Sequence, residues 1–196
     1  FGGAKNMKHF FFITLGTGLG SGIVSDGKIV YGHDGFAGEM GHVIIKNGSN
    51  RLCGCGRYGC LETYCSATGL RKSYMKFLAE NDKRAPIEPD KIDSAFIFKR
   101  ANEGDEEALL AFDYTGQILG FALANAVTLF SPEAIFLFGG LAQAGDLIFK
   151  PTIKSFNDNI MEIYKGKTKI LPSSLPESDA AILGSASLIW NELKKV

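Results

Sequence analysis

The chain has 196 residues, 45% apolar and 21% charged, an ordinary globular balance that excludes wholesale disorder and fits one domain or two small lobes. Lysine plus arginine and aspartate plus glutamate each total 21, so formal net charge is zero and binding nucleic acid by phosphate neutralisation is disfavoured. No apolar run approaches the ~18 residues of a membrane span, while glycine, at 24 residues, is about twice its usual ~7% share, with thirteen between Gly16 and Gly59.

The sequence begins at Phe1 without Met, in a Phe-Gly-Gly-Ala-Lys stretch, and reads as a piece of a longer protein. His9 to Leu15 is β-branched and aromatic, a strand that turns glycine-rich at its end. Leu19 to Ser25 and Lys28 to Tyr31 flank Asp26-Gly27, the signal for a tight hairpin. Gly32 to Gly41 is expected to be a loop, His42 to Lys46 a short strand, and Asn47 to Cys60 an irregular knuckle.

From Ser66 the period becomes helical. Leu70, Tyr74, Phe77 and Leu78 recur on one face, and Ser66 or Thr68 can cap the start. A loop with Pro86 and Pro89 leads to a short helix over Ile92–Asn102, ended by Glu103-Gly104-Asp105. Glu106 to Phe130 is expected as one long helix, stopped by Pro132, and Ala134 to Phe138 as a buried strand ending in Gly139-Gly140. A helix from about Asp146 to Tyr164, a strand over Thr168–Leu171 and a closing helix over Ala180–Leu193 complete an α/β layered domain.

Four constellations carry chemistry. Cys53, Cys55 and Cys60, with His42 upstream, supply three thiolates and an imidazole on a loop made supple by Gly54, Gly56 and Gly59. That donor set suits structural zinc and leaves no open position for bound water. A disulfide framework competes, but Cys53 and Cys55 are separated by a single residue and are awkward to bridge, and nothing else looks secreted. Cys65 is expected to be a small buried apolar residue.

Leu15 to Ile23 (LGTGLGSGI) lies on a turn between two strands, where alternating glycines let backbone N–H groups approach a phosphate and Thr17 and Ser21 add hydroxyls. Such turns also serve simply to bend strands. No Gly-Lys-Ser/Thr follows, and a strand rather than a helix comes next, so neither a Walker loop nor a dinucleotide fingerprint applies. Gly139-Gly140 is a strand-to-helix turn, or a place where a nucleotide lies against bare backbone. Glu39 and Glu62 flank the metal ligands and, pinned by them, suit the hydroxyls of a polyol; alone, each is an ordinary solvated acid.

In this order the pieces resemble the ROK family of bacterial sugar kinases and sugar-responsive repressors. Gly38-Glu39-Met40-Gly41-His42 is similar to its Glu-x-Gly-His motif, and Cys53-Gly-Cys55-Gly-Arg-Tyr-Gly59-Cys60-Leu-Glu62 to its Cys-x-Cys-Gly-x-x-Gly-Cys-x-Glu signature. Leu15 to Gly22 looks like the second phosphate loop, and Gly139-Gly140 like the adenosine-side turn. The resemblance covers essentially the whole chain. It implies the actin-like ATPase (ribonuclease H-like) α/β fold, with this chain as the C-terminal lobe carrying a zinc-binding loop and the N-terminal lobe absent. Residues 1–65 would hold the phosphate loop, sugar loop and zinc knuckle, and 66–196 the helical remainder of one continuous lobe.

By matching positions the resemblance puts Glu39, His42 and Glu62 on sugar hydroxyls. It puts His42, Cys53, Cys55 and Cys60 on zinc, Gly16, Thr17 and Gly18 on the γ-phosphate side, and Gly139 and Gly140 by the adenosine. The family's catalytic Asp, in an Asn-Asp pair, belongs upstream of the strand starting at His9, and no such pair stands there; Asn81-Asp82 and Asn157-Asp158 fall in the wrong place. The first phosphate loop, which helps hold ATP and Mg²⁺, is missing too. The expectation is therefore a hexose or N-acetylhexosamine kinase as the full-length protein, cytoplasmic and homodimeric, with this portion alone inactive and binding neither membrane nor nucleic acid. The alternative is a sugar-sensing repressor whose DNA-binding region precedes this portion. A free zinc-knuckle interaction module fits poorly, because the long apolar helices demand a core of their own.

Overall fold

A computed structural model describes residues 2–175, 179, 182–187 and 190. Its centre is a five-stranded mixed sheet, order β3-β2-β1-β4-β5, built from β1 (Phe10–Leu15), β2 (Leu19–Ser25), β3 (Lys28–Ile29), β4 (Ala134–Phe138) and β5 (Lys169–Pro172). β1 runs antiparallel to β2, with Ile13 opposite Ser21, and parallel to β4, with Ile13 opposite Leu137. The β2–β3 hairpin turns at Asp26 and Gly27, whose φ of 50° and 72° are the paired left-handed conformations of a type I′ turn.

Alternation along β1 sends Phe11, Ile13 and Leu15 into the core. β4, flanked by strands on both sides, buries Ala134, Ile135, Phe136 and Leu137. Against the inner face packs α3 (Glu106–Phe130), with α1 (Ala67–Glu80) and α2 (Ser94–Asn102) packed on α3, and the three share a core including Leu70, Tyr74, Ile97, Phe112, Leu119 and Leu123. Each begins at a side-chain cap that accepts an orphan N–H: Ser66 from Gly69, Asp93 from Phe96, Asp105 from Ala108. α4 (Asp146–Asn159) crosses α3 at Gly120, where a Cβ would stand 2.3 Å from the carbonyl oxygen of Thr152; only glycine permits this approach.

Several expectations shift. The strand anticipated over His42–Lys46 is absent: Met40–His42 form a single 3₁₀ turn, and Ile44 makes only an isolated bridge to Cys60. The backbone N–H groups of Ile45 and Lys46 both donate to Gly59, so this segment serves the knuckle instead of a sheet. β3 stops at Ile29, and α4 ends at Asn159, because Ile160 turns extended and buries its side chain; Glu162–Tyr164 is a separate 3₁₀ turn. Half of the closing helix expected over Ala180–Leu193 falls outside the described residues; within it, 182–187 and 190 are helical.

Parallel pairing of β1 and β4 puts their carboxyl ends on one edge of the sheet. Gly16–Gly18 therefore lies beside Gly139–Gly140, and the N–H of Leu141 donates to the carbonyl of Leu15 at 3.2 Å. Crevices at the carboxyl ends of strands are where open α/β sheets bind ligands.

Candidate functional site

His42, Cys53, Cys55 and Cys60 come together, their ligand atoms all within 4.8 Å of one another. His42 Nδ1 lies 3.5 Å from Cys53 Sγ, and Cys55 Sγ lies 3.6 Å from Cys60 Sγ. A tetrahedron with metal–sulfur bonds of ~2.3 Å has sulfur–sulfur edges of roughly 3.8 Å, so the Cys55–Cys60 pair already stands at about such an edge and the whole set is of a size to hold a metal ion. No cysteine is in a disulfide. Cys65 is fully buried away from the cluster, its thiol directed at the carbonyl of Thr115 and its pKa pushed up by burial.

The thiols differ electrostatically. Backbone and side-chain hydrogen bonds from Arg57 bring Cys55 down to about 6, whereas burial pushes Cys53 up to about 12 and also raises Cys60. The cluster thus offers one ready thiolate, and a cation displaces protons from the other two thiols.

The knuckle is anchored from behind by Arg51, a residue the sequence motifs do not single out. Its guanidinium donates to the carbonyls of Thr63 and Gly69 and to Ser73 Oγ at 2.8, 3.3 and 3.0 Å, and lies 4.4 Å from the Tyr64 ring centroid. Arg57 braces the front, donating to the carbonyl of His42 at 2.7 Å. An arginine in a glycine-cysteine loop is the one sequence signal for both, but their partners lie across the fold and only the structure supplies them.

The two carboxylates sit on either side of the cluster. Glu62 Oε2 accepts the backbone N–H of Leu19 at 3.1 Å, and Oε1 accepts the Cys53 thiol at 3.4 Å. Glu39 Oε2 stands 3.9 Å from His42 Nε2. His42 therefore turns Nδ1 to the thiols and Nε2 to Glu39. Thr17, Gly18, Cys53, Glu62 and Thr68 line a cavity of about 260 Å³, which joins the glycine turn to the knuckle. Around the turn, the carbonyl of Gly16 accepts from the N–H of Ala67 at 2.8 Å, and that of Thr17 from Thr68 Oγ1 at 2.9 Å. With those carbonyls engaged by the start of α1, the turn is held as a rigid unit. Gly139, at φ 98°, has room for no side chain: a Cβ would meet the Leu15 carbonyl oxygen at 2.7 Å.

The candidate site residues thus gather along one edge, Glu39, His42, Glu62, Cys53, Cys55 and Cys60 around the knuckle and Gly16–Gly18 with Gly139–Gly140 at the strand ends. The mixed sheet, the helices packed on its inner face and the glycine turns at its carboxyl edge make this chain structurally like the sugar kinases of the actin-like ATPase class. Residues 1–192 match the model of the ROK family, and the chain belongs to that family.

It is 37% identical over 194 residues to a glucokinase of Thermotoga maritima, covering 96% of this chain and 60% of that protein. It is also 30% identical over 191 residues to the DNA-binding transcriptional dual regulator NagC of Escherichia coli, covering 96% of this chain and 46% of the regulator. Among solved structures, a ROK family glucokinase from Streptomyces griseus in complex with glucose and AMPPNP superposes with a TM-score of 0.82 at 31% identity, over 93% of this chain and 61% of that one. The chain thus spans about 60% of the length of the glucokinase relatives it matches.

Proposed function

We propose that the protein carrying this chain is an ATP-dependent kinase of a hexose or N-acetylhexosamine. The observation that carries the reading is the two-sided placement of His42: one ring nitrogen faces three thiols and the other faces Glu39. An imidazole held from behind and paired with a carboxylate in front is a fixed donor–acceptor unit for a sugar hydroxyl. Glu62, at the far side of the knuckle, supplies a second acceptor. Two carboxylates and an imidazole suit a polyhydroxylated ligand, because each hydroxyl donates one hydrogen bond and accepts others.

Cys53, Cys55, Cys60 and His42 would hold zinc, for which three thiolates and one imidazole are a complete structural set. What zinc supplies when bound is rigidity, since four protein ligands leave no open position. The residues of this chain then act by positioning. Glu39, His42 and Glu62 orient the sugar, while the Gly16–Gly18 turn faces the transferring phosphoryl group with the N–H groups of Thr17 and Gly18, that of Gly16 being held by the Gly18 carbonyl at 3.0 Å. Gly139 and Gly140 leave bare backbone for the adenosine, and closure of the site keeps water from ATP. The proton of the attacking hydroxyl goes to a carboxylate that we place in the part of the protein outside residues 1–196. The similarity to a glucokinase and to a glucose- and AMPPNP-bound structure supports this reading.

A second reading, a sugar-responsive DNA-binding regulator, draws on the similarity to NagC. A coupled ADP-release assay on the full-length protein, run against hexoses and N-acetylhexosamines, separates the two. Turnover with one sugar establishes the kinase. Silence across the panel, with sugar binding retained by calorimetry, establishes the regulator.

A further inference from the structure

Glu39 occupies an unusual piece of backbone. Its φ of −72° and ψ of 54° match the central residue of an inverse γ-turn, and the hydrogen bond from the N–H of Met40 to the carbonyl of Gly38 at 2.7 Å closes that turn. A three-residue turn throws its central side chain outward, and the Glu39 side chain is accordingly 62% exposed. Such a turn has one bent hydrogen bond of its own and needs outside support to stay closed.

That support comes from β2. Ser21 Oγ donates to the carbonyl of Gly38 and accepts the N–H of Met40 at 3.1 Å, so one hydroxyl grips both ends of the turn. Ser21 is itself immobilised, because it pairs across the sheet with Ile13, a fully buried residue of the central strand. Gly38 lies against the same residue: a Cβ there would be 3.4 Å from the Ser21 carbonyl oxygen. The line of constraint runs from the core through Ile13 and Ser21 to the turn that carries Glu39.

We infer that Ser21 is a positioning residue for sugar recognition, fixing the Glu39 turn to the central sheet through its hydroxyl. The inference rests on the proposed role of Glu39 as a sugar ligand and goes beyond it: the Ser21 hydroxyl, which the sequence suggests for a phosphate, is instead taken up by the Gly38 carbonyl and the Met40 N–H. Loss of the hydroxyl leaves the strand intact but lets the turn open, which misplaces the Glu39 carboxylate relative to His42 Nε2.

The test measures sugar and nucleotide affinity of the full-length protein by calorimetry, alongside thermal melting. Ser21→Ala is expected to weaken sugar binding about tenfold, with nucleotide affinity and melting temperature nearly unchanged. Ser21→Thr should restore sugar binding, because it keeps the hydroxyl and its methyl group has room in the cavity of about 280 Å³ that Ser21 lines with Gly38 and Met40. Combining Ser21→Ala with Glu39→Gln should weaken binding no further than Glu39→Gln alone, as expected when two residues act as one unit. If Glu39→Gln weakens sugar binding and Ser21→Ala does not, the positioning role is overturned while the sugar-site reading stands. If Glu39→Gln has no effect either, that reading of Glu39 itself fails. Equal losses for sugar and nucleotide in Ser21→Ala, or no rescue by Ser21→Thr, would reduce Ser21 to a structural residue.

Discussion

The carboxylate of Glu62 accepts the backbone N–H of Leu19 at 3.1 Å, tying the cysteine knuckle to the exit of the glycine turn. The contact is possible because residue 18 is glycine: a Cβ there would stand 2.3 Å from Glu62 Oε2. The proposed sugar and nucleotide elements therefore share one hydrogen bond.

Two substitutions separate the roles of that bond. Gly18→Ala pushes the carboxylate off Leu19 and is expected to weaken both sugar and nucleotide binding about tenfold or more, the usual cost of a lost hydrogen bond to a charged group. Glu62→Gln keeps an oxygen for the Leu19 N–H but gives up the charge, so sugar affinity should fall while nucleotide affinity holds. Calorimetry with each ligand distinguishes the patterns, and equal losses in Glu62→Gln would remove Glu62 from the sugar site.

The cysteine cluster predicts its own metal dependence. One zinc per chain is expected by elemental analysis. Cys55→Ser should lower metal affinity by more than the ~10–100-fold that losing an outer partner of a metal ligand costs. In the proposed arrangement zinc would order the loop between Glu39 and Glu62, so the same variant and chelator-treated protein should both bind sugar more weakly. Unchanged sugar affinity in metal-free protein would disconnect the cluster from the site.

Much of this arrangement is legible in the sequence, for local reasons. The ends of α3 follow from Gly104-Asp105 in front and Pro132 behind, and β4 from an apolar pentapeptide bounded by Pro132-Glu133 and Gly139-Gly140. The Cys₃His cluster follows from thiol spacing plus one upstream histidine. The elements that depart from expectation have non-local causes. Val43–Lys46 has β-forming side chains, yet its hydrogen bonds go to Gly59 and Leu61 across the knuckle, so no ladder forms. Arg51 reads as a surface cation until Thr63, Gly69 and Ser73 are seen to surround it. Ser21 reads as one more hydroxyl in a glycine turn, and its grip on the Glu39 turn spans 17 residues of sequence.

Stability can be raised at the end of α3. Ser131 sits in the left-handed region at φ 45° and ψ 54°, with its N–H donating to Val127 and its side chain in solvent. Left-handed backbone carries a steric penalty for a residue with a Cβ, and glycine is the usual occupant after a helix. Ser131→Gly is expected to stabilise by about 0.5–1 kcal/mol, a rise in melting temperature of ~1–4 °C for a chain of this size. A lower melting temperature would mean that the added freedom of the unfolded chain outweighs the relieved strain.

Acid should unfold the protein partly through Glu107. This carboxylate is 2% exposed at the start of α3, where it accepts from Lys83 Nζ at 2.9 Å and Asn81 Nδ2 at 3.0 Å. The bond from Lys83 holds its pKa below the ordinary glutamate value of 4.5. A carboxyl with a depressed folded pKa binds its proton more readily once unfolded. Its contribution is therefore complete above about pH 5 and is lost as pH falls through 4.5 toward the folded value. Glu107→Gln removes this titration. Urea unfolding of the variant should show a loss of about 1–3 kcal/mol at pH 7, from a weakened buried hydrogen-bonded group. The difference from the parent protein should then shrink steadily as the pH falls below about 5. A difference that stays constant across that range would show that the Lys83–Glu107 pair contributes no proton linkage.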